Sequence, residues 1–211
     1  AVNDTSVSFI CVGTPSRRNG ALDLTSIKNV CEQIGSSLKN KERFHIVVIR
    51  STILPGTTAE LIIPVLESVS GKKAGKDFGV ATNPEFLREG SAIKDFLNPP
   101  TTVLGVSDPK SEEILREVYA WVPTELFVVP VPAAEMVKYA SNSFHALKVA
   151  FANEIGTLCK HTGVDTEAVT RMFLSDTQLN ISSYYLSPGF AFGGSCLPKD
   201  VRAITYRGKE L

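Results

Sequence analysis

Apolar positions along this chain fall into two alternating textures, short continuous runs and longer stretches with helical spacing. The run V-S-F-I-C-V at 7–12 stops at Gly13-Thr14-Pro15, and H-I-V-V-I-R at 45–50 stops at Ser51-Thr52 ahead of Pro55-Gly56. Both predict strands buried on two faces. Between them Leu24, Ile27, Val30, Cys31, Ile34 and Leu38 recur at helical spacing, and 57–68 repeats the pattern after the second run. The alternation β-α-β-α predicts a parallel sheet covered by helices. Segments 78–82, 102–106 and 126–129 add three strand candidates, with a helix near 111–121.

After Pro130 and Pro132 the texture changes. From 133 to about 161 there is no proline and a single glycine, Gly156, which predicts one long helix. At helical spacing Met136, Phe144, Leu147, Phe151, Ile155 and Leu158 share one side, while Asn142, His145 and Asn153 fall within about 60° of Lys138. A solvated face would be richer in Glu and Lys than in Asn and His, so the polar stripe is either an ordinary wet surface or a site.

Composition narrows the function classes. Lys plus Arg and Asp plus Glu each number 22, so no net charge draws the protein to nucleic acid or an anionic membrane. With 43% hydrophobic and 21% charged residues and no long apolar run, a soluble globular protein is expected. Cys11, Cys31, Cys159 and Cys196 form no C-x-x-C pair and no zinc-like cluster. A reducing, cytoplasmic setting follows, with no metal site expected. Ala1 opens no signal peptide and is not an initiator Met, which suggests a fragment.

Two segments carry candidate chemistry. In Y-Y-L-S-P-G-F-A-F-G-G-S-C-L-P-K-D at 184–200, glycines allow close backbone approach, and Cys196 is followed by Lys199 and Asp200. A nearby ammonium favours the nucleophilic thiolate, although a lone cysteine in a turn is more often structural. N-P-E-F-L-R-E at 83–89 predicts a helix start, with Asn83 as N-cap and Pro84 in the first turn. Glu85 and Glu89, four apart on that helix, would aim two carboxylates into the cleft beyond a strand end. Gly13-Thr14-Pro15 and Ser51-Thr52 sit at such ends too. No G-x-G-x-x-G is present, so the phosphate-binding turn of a dinucleotide fold is missing.

Taken in order, V-G-T-P, S-T-x-x-P-G, N-P-E-F-L-R-E, the Lys138/Asn142 helix and F-A-F-G-G-S-C-L-P-K-D resemble the nucleotide-sugar (UDP-glucose/GDP-mannose) 6-dehydrogenase family over essentially the whole chain, nearest its GDP-mannose-oxidising branch. The resemblance implies an α/β fold: the C-terminal half of a Rossmann-like NAD-binding domain (1–130), then a mostly α-helical central dimerisation and substrate domain with one long helix (131–211). It implies NAD as cofactor, a homodimer formed through that helix, and four-electron oxidation of the sugar C6 alcohol to a carboxylate. The isolated segment would turn over little or not at all.

By the same resemblance Cys196 is the nucleophile, passing through a thiohemiacetal and a thioester. Lys138 and Asn142 stabilise the oxyanion, Thr52 and Asp200 hold the water or the cysteine loop, and Glu85 assists hydrolysis. Thr14, Thr52 and Lys199 would touch NAD. Glu89, Lys138, Asn142, His145, Asn153, Tyr184, Tyr185, Phe190 and Gly193 would line the sugar-nucleotide site. Ser183 and Ser187 stand where the GDP-mannose pattern has phosphate-gripping arginines, which keeps a UDP-sugar enzyme open. A noncatalytic dimerisation module and a two-electron 3-hydroxyacid dehydrogenase are the alternatives from other classes.

Overall fold

In the computed structural model, which describes residues 1–88, 90–182 and 197–210, the five expected strands form one sheet. They are β1 (Val7–Ile10), β2 (Ile46–Ile49), β3 (Gly79–Thr82), β4 (Thr102–Gly105) and β5 (Leu126–Val129), hydrogen-bonded in that order. Pairs β1–β2, β2–β3 and β4–β5 are parallel with four residue pairs each. The β3–β4 junction is antiparallel and rests on one pair, Thr82 with Gly105. This reversal departs from the parallel-sheet expectation: the link from β3 to β4 carries only the short helix α3 (Ala92–Leu97), not the full covering helix of a parallel crossover.

Strand β2 shows why a continuous apolar run encodes a central strand. Val47 and Ile49 join one core with Ile27, Ile34 and Leu38 of α1 (Thr25–Leu38) and Leu66 of α2 (Ile63–Ser70). Ile46 and Val48 join the opposite core with Leu104 and Leu115, the latter on α4 (Pro109–Val118). All four β2 side chains are fully buried, each contributing about 1.5–3 kcal/mol. β1 differs: Phe9 is 40% exposed, so among the described residues the two-faced burial expected for β1 is not observed.

The helix expected after Ser51-Thr52 forms in two geometries, a π-helical stretch at Thr58–Ile62 followed by α2. Pro64 lacks the N–H and its ring crowds the preceding turn; a wider π turn accommodates it. The expected helix start at Asn83 does not form. Residues 83–88 have no regular structure, because Asn83 spends its side chain elsewhere and Glu85 accepts the Leu87 N–H at 2.6 Å instead. The next helix, α3, begins only at Ala92.

The chain divides into two compact units, Ala1–Ser143 and Phe144–Leu211, and the division falls within α5 (Val131–Thr162). In the first unit, Gly105 lets the start of α5 approach β4; a Cβ there would lie 2.6 Å from that of Ala134. In the second, α6 (Thr166–Ser175) begins at Asp165, whose carboxylate accepts from Glu167 N at 2.9 Å. Phe173 of α6 meets Phe151 with ring centroids 5.6 Å apart, and α7 (Leu197–Glu210) is the last helix described. Among the described residues no helix is long and apolar enough to cross a membrane.

Candidate active site

Parallel strands deliver the segments that follow them to one sheet edge. After β1 come Cys11 to Thr14, after β2 Arg50 to Thr52, and after β3 Asn83 to Glu85. The first two segments are tied together: the Ser51 hydroxyl donates to Val12 O at 2.6 Å, and the Thr14 hydroxyl donates to Thr52 O at 2.8 Å. Thr14 and Thr52 are half-buried, and the Thr52 hydroxyl has no hydrogen-bond partner among the described residues.

The third segment is held by a network that sequence patterns do not disclose. Asn83 is 2% exposed. Its Oδ1 accepts from Arg50 at 2.6 Å and from the Tyr119 hydroxyl at 2.5 Å, while its Nδ2 donates to Val103 O at 2.9 Å. Burial pushes the Tyr119 phenol up, against the opposing Arg50 charge, so it stays a donor. The Arg50 guanidinium also lies 5.7 Å from the Phe96 ring centroid. A small cavity of about 30 Å³ opens beside these groups, room for water and not for a nucleotide.

Lys138, on the second turn of α5, meets the same edge. It is 8% exposed, and its ammonium donates to the Glu85 carbonyl at 2.6 Å and to Glu85 Oε1 at 3.0 Å. The Phe86 ring centroid is 5.5 Å away. Burial raises the Glu85 carboxyl, but the Leu87 N–H and the Lys138 ammonium outweigh it, and the group lies below its ordinary 4.5. Glu85 is therefore a fixed anion at neutral pH that orients the cation.

Nearby, Glu135 is 2% exposed. Its Oε2 accepts from Gly56 N at 2.7 Å and its Oε1 from Thr58 N at 3.0 Å. Glu135, Arg50, Asn83 and Tyr119 were missed by sequence reasoning; a glutamate on a helix or a tyrosine at a helix end gives no local sign of a distant partner.

The structure thus brings expected site residues together in two pairs that the sequence alone does not draw, Lys138 with Glu85 and Thr14 with Thr52. Asn142 lies one turn beyond Lys138 and is exposed; His145 and Asn153 are exposed residues of the second unit. Burial along the start of α5 inverts the usual pattern, since Glu135 and Lys138 are buried while Met136 is 54% exposed. A solvated polar face is excluded at Lys138. In the second unit Lys199 and Asp200 pair at 3.1 Å on the surface. Cys196, Glu89, Tyr184, Tyr185, Phe190, Gly193, Ser183 and Ser187 lie outside the described residues, and the helical spacing invoked for Glu85 and Glu89 fails with the absent helix at 83–88.

Comparison with known proteins gives this edge a context. The model of the UDP-glucose/GDP-mannose dehydrogenase family NAD binding domain matches residues 1–122, and that of the family's central domain matches 132–211. GDP-mannose 6-dehydrogenase of Pseudomonas aeruginosa is 55% identical over all 211 residues, which are 48% of its length. The crystal structure of a ternary complex of GDP-mannose dehydrogenase from that organism superposes with a TM-score of 0.97 over 99% of this chain and 48% of that one. A UDP-glucose dehydrogenase from Pyrobaculum islandicum matches all of this chain and 48% of its own, at 42% identity and a TM-score of 0.78. The chain spans about half the length of the relatives it matches. Two family models in order along one chain, over a sheet edge that gathers Thr14, Thr52, Glu85 and Lys138, place it plainly: the chain belongs to the UDP-glucose/GDP-mannose dehydrogenase family.

Proposed function

We propose that these 211 residues belong to a GDP-mannose 6-dehydrogenase, which oxidises the C6 alcohol of the sugar to a carboxylate in two hydride transfers. The observation that carries this assignment is the 55% identity over the whole chain to the P. aeruginosa enzyme. Residues 1–130 would contribute to NAD binding, and 131–211 would form the substrate and dimerisation domain.

The donor set at the strand ends suits a cofactor that reaches this edge. The Thr52 hydroxyl has no partner among the described residues, and Thr14 donates to Thr52 O while keeping its own oxygen as an acceptor. These two residues, with Lys199, would hold NAD, which when bound supplies the hydride acceptor. The Lys138 ammonium, fixed by Glu85 and largely shielded from water, would stabilise oxygen charge on the reacting carbon, assisted by Asn142. Cys196 would attack the aldehyde carbon, forming a C–S bond as the oxygen takes up charge; loss of the second hydride leaves a thioester, and water then displaces the thiol. Thr52 and Asp200 would hold that water or the cysteine loop, and Glu85, as a permanent anion, would orient it. Glu89, His145, Asn153, Tyr184, Tyr185, Phe190 and Gly193 would contact the sugar nucleotide. A reducing cytoplasm would keep Cys196 a thiol.

On α5, Phe144, Leu147 and Phe151 are 39%, 63% and 48% exposed. Such apolar exposure on one helix supports pairing with a second copy of the chain. Sedimentation of the full-length polypeptide at micromolar concentration is expected to show a dimer, and a monomer would refute the pairing.

The direct test is NADH yield from the full-length polypeptide with limiting GDP-mannose and excess NAD. About two NADH per sugar are expected. About one would favour simple alcohol oxidation. No NADH with GDP-mannose but turnover of UDP-glucose would move the assignment to the UDP-sugar branch, for which Ser183 and Ser187 speak.

A further inference from the structure

We infer that Glu135 is a positioning residue: its carboxylate anchors the 52–58 loop to the helix that carries Lys138, and through that loop it sets Thr52 for the cofactor. The inference rests on the cofactor role proposed for Thr52.

Withdrawing a carboxylate from water is unfavourable unless its oxygens are satisfied. Glu135 is 2% exposed and forms no ion pair among the described residues. Each of its oxygens instead takes one backbone N–H, from Gly56 at 2.7 Å and from Thr58 at 3.0 Å. These amides open the helical run 58–70, the end whose peptide dipoles favour negative charge.

The loop is shaped to present them. Gly56 adopts φ +94°, a left-handed conformation in which a side chain would be strained, and the Thr57 N–H and hydroxyl both donate to Leu54 O. The hydroxyls of Thr58 and Thr82 share a hydrogen bond at 3.3 Å, tying the loop to β3. At its other end Thr14 holds the Thr52 carbonyl. On α5, Glu135 is three residues before Lys138, about 60° away around the helix. One helix face therefore carries both the cation beside Glu85 and the anion that grips the loop.

The helix is the fixed partner of this clasp. Ala134 is fully buried, and Lys138 is tied to Glu85, so loosening Glu135 would release the loop and leave α5 in place. Gln at 135 keeps the shape but faces one backbone N–H with an NH2 group, leaving a donor unpaired.

The test uses the full-length enzyme. Glu135→Gln is expected to weaken NAD binding in calorimetric titration without sugar nucleotide by about fivefold or more, and to raise KM for NAD to match, while KM for GDP-mannose stays within about twofold. On a Thr52→Ala background the same substitution is expected to change KM for NAD less than about twofold, because both act through one contact. Glu135→Asp, which keeps the charge but is one methylene shorter, should show the same split to a smaller degree and carries the test if the Gln variant does not fold. Parallel changes in both KM values, unchanged kinetics, additive effects with Thr52→Ala, or failure of both Glu135 variants to fold would overturn the inference. A wild-type enzyme that reduces no NAD with either sugar nucleotide would instead refute the proposed function.

Discussion

The Lys138 ammonium donates to both the backbone carbonyl and the carboxylate of Glu85, at 2.6 and 3.0 Å. The backbone and side chain of a loop residue 53 positions earlier in sequence thus share one donor on a helix, and the loop beyond β3 is tied to α5.

Replacing that cation tests both its roles. Lys138→Met should cost about 2 kcal/mol of stability, since it strands a half-buried carboxylate, and should lower kcat of the full-length enzyme by about 10²–10³. Glu85→Gln keeps an acceptor for Lys138 and should lower kcat by about tenfold or less. Thermal melts and NADH formation check these values. Equal losses from the two variants would show that the Glu85 charge itself does the chemistry.

The Arg50–Asn83–Tyr119 network should behave as a unit. Tyr119→Phe removes one donor to Asn83 and is expected to cost about 1 kcal/mol, whereas Asn83→Ala strips the acceptor from the Tyr119 hydroxyl and the side-chain donor from Val103 O, leaves Arg50 only its bond to the Tyr119 hydroxyl oxygen at 3.1 Å, and should cost about 2–3 kcal/mol. Urea denaturation measures both. In the double variant the effects should fall short of additive.

A pH dependence follows from His45. Its ring is fully buried, with Nδ1–H donating to Thr5 O and Nε2 accepting from the Ser8 hydroxyl, both at 2.9 Å. Burial lowers its pKa below the ordinary 6.5, opposed by the Thr5 bond and aided by the Lys41 charge. The fold binds this proton less readily than the unfolded chain, so the stability from His45 is complete above about pH 6.5 and is lost as pH falls through the lower folded value. Melting temperature should therefore drop between pH 7.5 and 5.5, and the drop should shrink in His45→Gln. Glu85 and Asp95, held below the ordinary carboxylate range by their partners, contribute their own losses only at more acid pH.

The cysteines should separate by reactivity. Burial pushes the Cys31 thiol up to about 11, with the Glu32 charge adding to it, and Cys159 is buried too, whereas Cys11 is exposed. Iodoacetamide at neutral pH should modify Cys11 well before Cys31 and Cys159, and Cys196 fastest if it is the activated nucleophile. Mass spectrometry of timed samples reads the order. Cys196 labelling no faster than Cys11 would count against its role.

Local periodicity made the strands and helices legible because it records which side of an element is buried. The run at 45–50 contains β2 because alternate side chains enter two cores, and the spacing at 24–38 contains α1 because one side of it is apolar. What escaped was set by partners far away in sequence. Asn83 has the letters of an N-cap, yet its bonds go to Arg50, Val103 and Tyr119. Glu135 reads as a surface glutamate until the loop after β2 arrives. The exposure of Phe9 is set by what packs over that face of β1, which no pattern within β1 encodes. At the candidate site, Lys138, Glu85, Thr14 and Thr52 were found through the order of motifs, since no single motif is specific enough.

The single residue pair joining β3 to β4 makes the sheet two ribbons, one of three strands and one of two. Between them the Asn83 amide acts as a rivet, donating to Val103 O where a ladder bond would otherwise stand. The backbone seam is thus the thinnest in the sheet, and side chains close it: Ile46, Val48 and Ala81 share a core with Leu104 and Leu115, and Tyr119 bonds to Arg50 and Asn83. Since β5 leads directly into α5, the helix bearing Lys138 is registered against the first three strands by side chains and one backbone pair, not by a continuous ladder.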